Sequence, residues 1–242
     1  MKKIFVIAVF VLLIATFVSA QVQVSGSNGA DGTYTTLGAA FSAINANTQS
    51  GNNITITILG NTTETTTAVL NQGGWATLTI VPSGARTISG NIGGAPLIDL
   101  NGADNVTING INSGGNSLTI VNNSTSNASG TSTIRLQTDA TNNTITNCTI
   151  LGSSTTTPTT NGGTIWIGAN ASTTGNDNNT ISNNYIGPAG TNLPTKAIYG
   201  NGSTSTTAVY NTGIIISGNN IYDYFSASAA SIGIYISGGN DN

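Results

Sequence analysis

The sequence predicts an all-β solenoid, on two recurring patterns and one spacing. The first pattern is a short strand. Thr133-Ile134-Arg135-Leu136 returns as Thr164-Ile165-Trp166-Ile167, as Ala197-Ile198-Tyr199 and as Gly233-Ile234-Tyr235-Ile236, and Leu97-Ile98-Asp99-Leu100 fits the series. The leading isoleucines, 98, 134, 165, 198 and 234, stand 36, 31, 33 and 36 residues apart, and internal periods of this length mark stacked repeats. The second pattern lies within each period: Asn143-Thr144-Ile145-Thr146-Asn147-Cys148-Thr149-Ile150 recurs as Asn179-Thr180-Ile181-Ser182-Asn183-Asn184-Tyr185-Ile186, and more loosely over Ile215 to Ile221. Isoleucine pairs 145/150, 181/186 and 216/221 keep a constant gap, so each period holds two short strands around a tight polar corner plus the Ile-x-Ile strand.

Apolar residues alternate with Thr, Ser or Asn inside these strands, which puts one face in and one face out. Strands this short cannot bury their apolar side alone. Stacked coils solve the problem, because each strand pairs in parallel with its copy about 4.8 Å away and backbone groups are satisfied between coils. The expected fold is therefore a right-handed parallel β-helix of three-strand coils, with handedness taken from the rule for parallel crossovers. An antiparallel sandwich shares the short strands and many turns, but not the return of the same residues at the same phase.

In chain order, residues 1–20 read as a secretory signal peptide. Lys2 and Lys3 form its charged start, Ile4 to Val18 its apolar run and Val18-Ser19-Ala20 its cleavage site. Export to the cell surface or medium follows, with no membrane span left after cleavage. Residues 21–51 form a polar leader, with an edge strand at Val22 and Val24, and one helix over Tyr34 to Asn45. Leu37, Ala40, Phe41 and Ile44 share a face of that helix, Thr35 or Thr36 is its N-cap, and its task is to cover the open end of the first coil. Residues 52–242 form the β-helix. Ile54-Thr55-Ile56-Thr57-Ile58 is its first strand, and three further strands, at Ala68-Val69-Leu70, Leu78-Thr79-Ile80-Val81 and Arg86-Thr87-Ile88-Ser89-Gly90, make irregular early coils. Ser113 to Gly130, Gly152 to Gly163 and Ser203 to Thr207 are polar excursions outside the strands. The chain stops after an Ile-x-Ile strand, so a C-terminally truncated solenoid is expected.

The repeat Gly-Ile-x-Ile … Asn-x-Ile-x-x-Asn-x-Ile resembles that of pectate-lyase-like parallel β-helix proteins over about residues 95–240, and more weakly over 50–95. The Thr/Asn/Gly-rich composition, the leader and the opening Gly32-Thr33-Tyr34-Thr35-Thr36-Leu37 resemble large secreted β-helix surface proteins of gliding-type bacteria that use type IX secretion. The resemblance implies an exported surface protein. In related polysaccharide enzymes, it also implies, the Ile-x-Ile strand lines a substrate groove.

Composition excludes several chemistries. The chain has no histidine, which removes histidine-dependent triads and His-ligand zinc sites. Without Lys2 and Lys3 it carries 3 basic against 8 acidic residues, so no basic patch for nucleic acid exists. Cys148 cannot form an internal disulfide and reads as a small packed residue. The acids Asp31, Glu64, Asp99, Asp104, Asp139, Asp177, Asp223 and Asp241 differ in phase, which leaves no carboxylate pair for glycoside hydrolysis and no calcium cluster. No catalytic residue, cofactor or metal is assigned.

The sharpest feature is the outward position of the Ile-x-Ile strand, Asp99, Arg135, Trp166, Tyr199 and Tyr235. It reads as an exposed stripe able to hold sugar rings of an extracellular polysaccharide or cell-surface glycan, or as stacking that stabilises the sheet. Asp99 and Arg135 are expected as a surface ion pair. Asn147 and Asn183 share a phase and are expected to form an inward asparagine ladder. The Thr-x-Thr pairs (Thr55/Thr57, Thr77/Thr79, Thr144/Thr146) invite an ice-binding reading, but their spacing in sequence gives no common phase, so no flat threonine array is expected. The reading is a non-catalytic, adhesin-like surface protein. Its rivals are a polysaccharide lyase or hydrolase fragment lacking its catalytic coils and a purely structural stalk.

Overall fold

The computed structural model describes residues 20–169 and 173–241, and the chain is a parallel β-solenoid. The signal peptide expected over 1–20 lies outside the described residues except for Ala20. Three sheets run the length of the stack. Sheet I contains Asn53–Ile58, Thr77–Pro82, Val106–Asn109, Thr144–Thr146, Thr180–Ser182 and Ile215–Ser217. Sheet II contains Thr62–Glu64, Ala85–Gly90, Ser117–Asn122, Thr149–Gly152, Tyr185–Pro188 and Asn220–Ile221. Sheet III contains Ala68–Asn71, Pro96–Asn101, Ser132–Gln137, Gly163–Ile167, Lys196–Gly200 and Ile232–Ile236.

Register follows the isoleucines. Ala68, Ile98, Ile134, Ile165, Ile198 and Ile234 pair in succession along sheet III. Ile80, Ile108, Ile145, Ile181 and Ile216 do so along sheet I, and Ile88, Ile120, Ile150, Ile186 and Ile221 along sheet II. These columns meet inside the coil, where nearly all members before the last coil are fully buried. In the last described coil, Ile234 and Ile236 reach solvent, since among the described residues no strand stacks on their outer side. The third coil carries its extra residues at its corner: Ile111 turns to positive φ and leaves the column, and sheet II resumes at Ser117.

The N-terminal end is closed as the sequence predicts. Helix α1 (Leu37–Asn45) is shorter than expected and begins after Thr36, whose hydroxyl accepts from the Ala39 amide. Leu37, Ala40, Phe41 and Ile44 are buried against the first coil. Glu64 of that coil receives the Leu37 and Gly38 amides at 2.8 and 3.0 Å, satisfying two orphan donors of the helix start. Asn45 at the other end donates to the Val69 carbonyl and accepts from the Asn71 amide. Val22–Ser25 adds antiparallel to Asn53–Ile58, so the first strand of sheet I has no bare edge. Among the described residues no helix is long and apolar enough to cross a membrane.

Two sequence expectations are corrected here. Asn147 and Asn183 do share a phase, but they sit at the corner with φ of 56° and face outward. The inward ladder is one residue later: Asn184 accepts from the Cys148 amide and donates to the Ile145 carbonyl, and Asn219 repeats both bonds one coil on. An Asn is favoured at both places, at the corner because it tolerates left-handed backbone and inside because its amide matches backbone groups. Residue type alone therefore did not separate them. Further ladders run Asn143–Asn179 and Asn176–Asn211–Asn240, all buried except the half-buried Asn240.

The second correction concerns threonine: the Thr-x-Thr pairs are out of phase, as expected, with Thr77 opposite Asn53 and Thr57 opposite Val81, but single threonines do align. Thr55, Thr79, Thr107, Thr144 and Thr180 occupy one column of sheet I. The early coils are shorter than the later ones, so a fixed period hides the alignment that the pairing creates.

Candidate functional site

The outward column of sheet III is assembled as its phase predicts. Asp99 pairs with Arg135, Arg135 with Trp166, Trp166 with Tyr199 and Tyr199 with Tyr235. The stripe is not exposed, however. Asp99 is 3 %, Trp166 6 % and Tyr199 4 % accessible, while Arg135 and Tyr235 are half-buried. The reason lies in the stacking itself. The Arg135 guanidinium lies over the Trp166 ring at 5.2 Å, and the Tyr199 and Tyr235 ring centroids are 5.5 Å apart. Strands spaced about 4.8 Å apart bring side chains of adjacent coils into contact, so the faces a sugar would need are the faces the column consumes.

The ion pair is also buried rather than superficial. Arg135 Nε donates to Asp99 Oδ1 at 2.9 Å and Nη2 to Oδ2 at 2.6 Å, a two-pronged arrangement. Only the arginine side chain keeps appreciable contact with water. Beside the column runs an amide row that sequence reasoning missed: Asn101 donates to Asn71, Gln137 donates to Asn101, and Asn201 accepts from Trp166 Nε1 at 2.6 Å. Asn201 in turn donates to Asn161 of the preceding excursion. The outer edge of Trp166 opens into a shallow groove of about 330 Å³ lined by Gln137, Asn161, Trp166 and Ala169.

Lys196 is a second residue without a sequence signal. It is fully enclosed, with Nζ 4.0 Å above the Tyr199 ring and donating to the carbonyls of Thr157, Pro158 and Thr160. It thereby fastens the Gly152–Gly163 excursion against sheet III. Burial pulls its ammonium from the ordinary lysine value down to about 8, while three carbonyl acceptors and the ring face favour the charge. Cys148 is buried at the inward corner, and desolvation pushes its thiol up to about 12, so it is an inert packed sulfur.

Five of the eight carboxylates are committed to holding the coil. Besides Glu64 and Asp99, Asp104 accepts from the Thr141 amide and hydroxyl, and Asp177 from the Thr212 amide. Asp139 accepts from the successive amides of Thr173, Thr174 and Gly175. Asp31 takes the Ser27 hydroxyl and amide, bonds that hold it below its ordinary range. Among the described residues no three His, Cys, Asp or Glu side chains gather where a metal could bind. Comparison with known proteins adds no relative: no family model, no curated protein and no solved structure matches the chain.

Proposed function

We propose that this is an exported, non-catalytic β-helix surface protein, adhesin-like, that meets glycan at the groove beside Trp166. The observation that carries the non-catalytic reading is the engagement of five of its eight acids. Glu64, Asp99, Asp104, Asp139 and Asp177 each accept bonds from a residue at least 26 positions away, joining coil to coil or coil to cap. Carboxylates so occupied are scaffolding, and hydrolysis of a glycosidic bond asks for two free ones across the bond. The export reading rests on the leader sequence, and the surface role on the resemblance to secreted β-helix proteins.

The glycan reading rests on the groove, where the edge of an indole adjoins the amides of Gln137 and Asn161. Amides and an aromatic edge together suit a neutral polyhydroxyl ligand. It replaces the exposed stripe of Asp99, Arg135, Trp166, Tyr199 and Tyr235, whose ring faces are taken up by one another. Two measurements test the proposal. Incubation with pectin-like and other acidic polysaccharides should release neither unsaturated nor reducing ends, and release above the protein-free rate defeats the non-catalytic reading. Retention on immobilised polysaccharides should fall in Gln137→Ala and Trp166→Ala variants that keep the parent's melting transition. Unchanged retention removes the groove.

A further inference from the structure

The outer face of sheet I carries a feature the proposed function does not use. Thr55, Thr79, Thr107, Thr144 and Thr180 stand in register on five successive coils. Two residues along each strand a second column runs parallel to the first. It includes Thr57 paired with Val81, and Asn109, Thr146, Ser182 and Ser217 paired in turn. All five first-column threonines are partly accessible to solvent. Among the described residues none of their hydroxyls bonds to another protein group. No charged residue occurs in any strand of this face from Asn53–Ile58 to Ile215–Ser217.

The fold sets the dimensions of this array. Strand spacing puts successive threonines about 4.8 Å apart along the stack, and two strand residues advance about 6.6 Å across it. A β-branched side chain has few χ1 wells on a strand, so hydroxyl and methyl positions are fixed before any ligand arrives. The result is a neutral column of hydroxyls and methyls on five coils, flanked by a mixed second column in which Thr57 and Thr146 repeat the pattern and Val81, Asn109, Ser182 and Ser217 do not. Its repeat along the stack is close to an oxygen spacing on faces of hexagonal ice. Such a face can hold an ordered water layer, with hydroxyls anchoring it and methyls filling its gaps, and it meets an uncharged lattice without an unpaired charge. The other sheets offer no equivalent. On sheet II the threonines Thr87, Thr119 and Thr149 give way to Tyr185 after three coils, whereas on sheet I they give way to Ile215 only after five, and sheet III presents the ion pair and rings.

We propose that the outer face of sheet I binds the surface of ice. The test uses the intact chain and ice itself. Purified protein is frozen slowly onto a cold probe, and its concentration in the ice is compared with that in the liquid, together with thermal hysteresis and crystal shape. The parent should be enriched in the ice and should facet growing crystals. A Thr107→Lys, Thr144→Lys double variant should be excluded from ice like an inert protein, while Thr119→Lys on sheet II should behave as the parent. If the lysine pair lowers the melting transition, Thr107→Ser with Thr144→Ser supplies the second reading, since it removes only methyls and should weaken hysteresis. Exclusion of the parent from ice overturns the proposal. So does equal loss in the sheet I and sheet II variants, or retention on crystalline cellulose or chitin without enrichment in ice.

Discussion

Thr62 sits in the inward column that continues as Ile88, Ile120 and Ile150, with its hydroxyl buried and without a partner. A buried, unpaired hydroxyl is a desolvation penalty, so the isosteric Thr62→Val should stabilise the protein by about 1–2 kcal/mol in urea unfolding. Lys196 gives a pH dependence of defined sign. Its folded pKa is about 8 against an ordinary value of 10.5, so between those values the unfolded chain binds more protons and stability rises with pH. The urea midpoint should climb from pH 7.5 to 9.5 in the parent and stay flatter in Lys196→Met. A flat parent profile would mean that the three carbonyls and the Tyr199 ring fully offset the desolvation. The sequence could not announce either residue. Phase along a repeat says which side of a strand a side chain leaves, and it does not say what a distant excursion lays over it. That is why the enclosure of Lys196 by the Gly152–Gly163 excursion was not legible, while the neighbours of Asp99, Arg135, Trp166, Tyr199 and Tyr235 along the column were.

At the scale of single elements, α1 depends on a residue far along the chain. Glu64 supplies both acceptors for its first amides, so Glu64→Ala should cost about 1–3 kcal/mol, with Glu64→Gln between it and the parent. Loss of helical circular dichroism ahead of the β signal would show the cap leaving first. No change in stability would mean that Thr36 alone suffices. Helix and strands were readable because their information is local: apolar spacing of three and four in Leu37, Ala40, Phe41 and Ile44, and alternation in the Ile-Thr-Ile runs. The Thr55–Thr180 column was not readable, because its alignment depends on how many residues each corner stores. Only the pairing, in which Thr79 meets Thr107 across a coil of different length from the next, resolves it.

Across the whole molecule, contacts run mainly between neighbouring coils, so stability is a chain of adjacent interfaces and opening should begin at an end. The described last coil exposes Ile234 and Ile236. Amides of Ile232–Ile236 should therefore exchange with deuterium on the order of tenfold or more faster than those of Val106–Asn109 in mid-stack. Uniform exchange would instead mean that the stack opens as one unit. Cys148 lies between these regions, near the carbonyl of Ile108 on one coil and with its amide bonded to Asn184 on the next. It stands where later coils place asparagine. A lone sulfur walled in at that height is a built-in timer: a thiol-reactive dye can reach it only while two neighbouring storeys are parted, so its labelling rate counts those partings directly, with no residue altered.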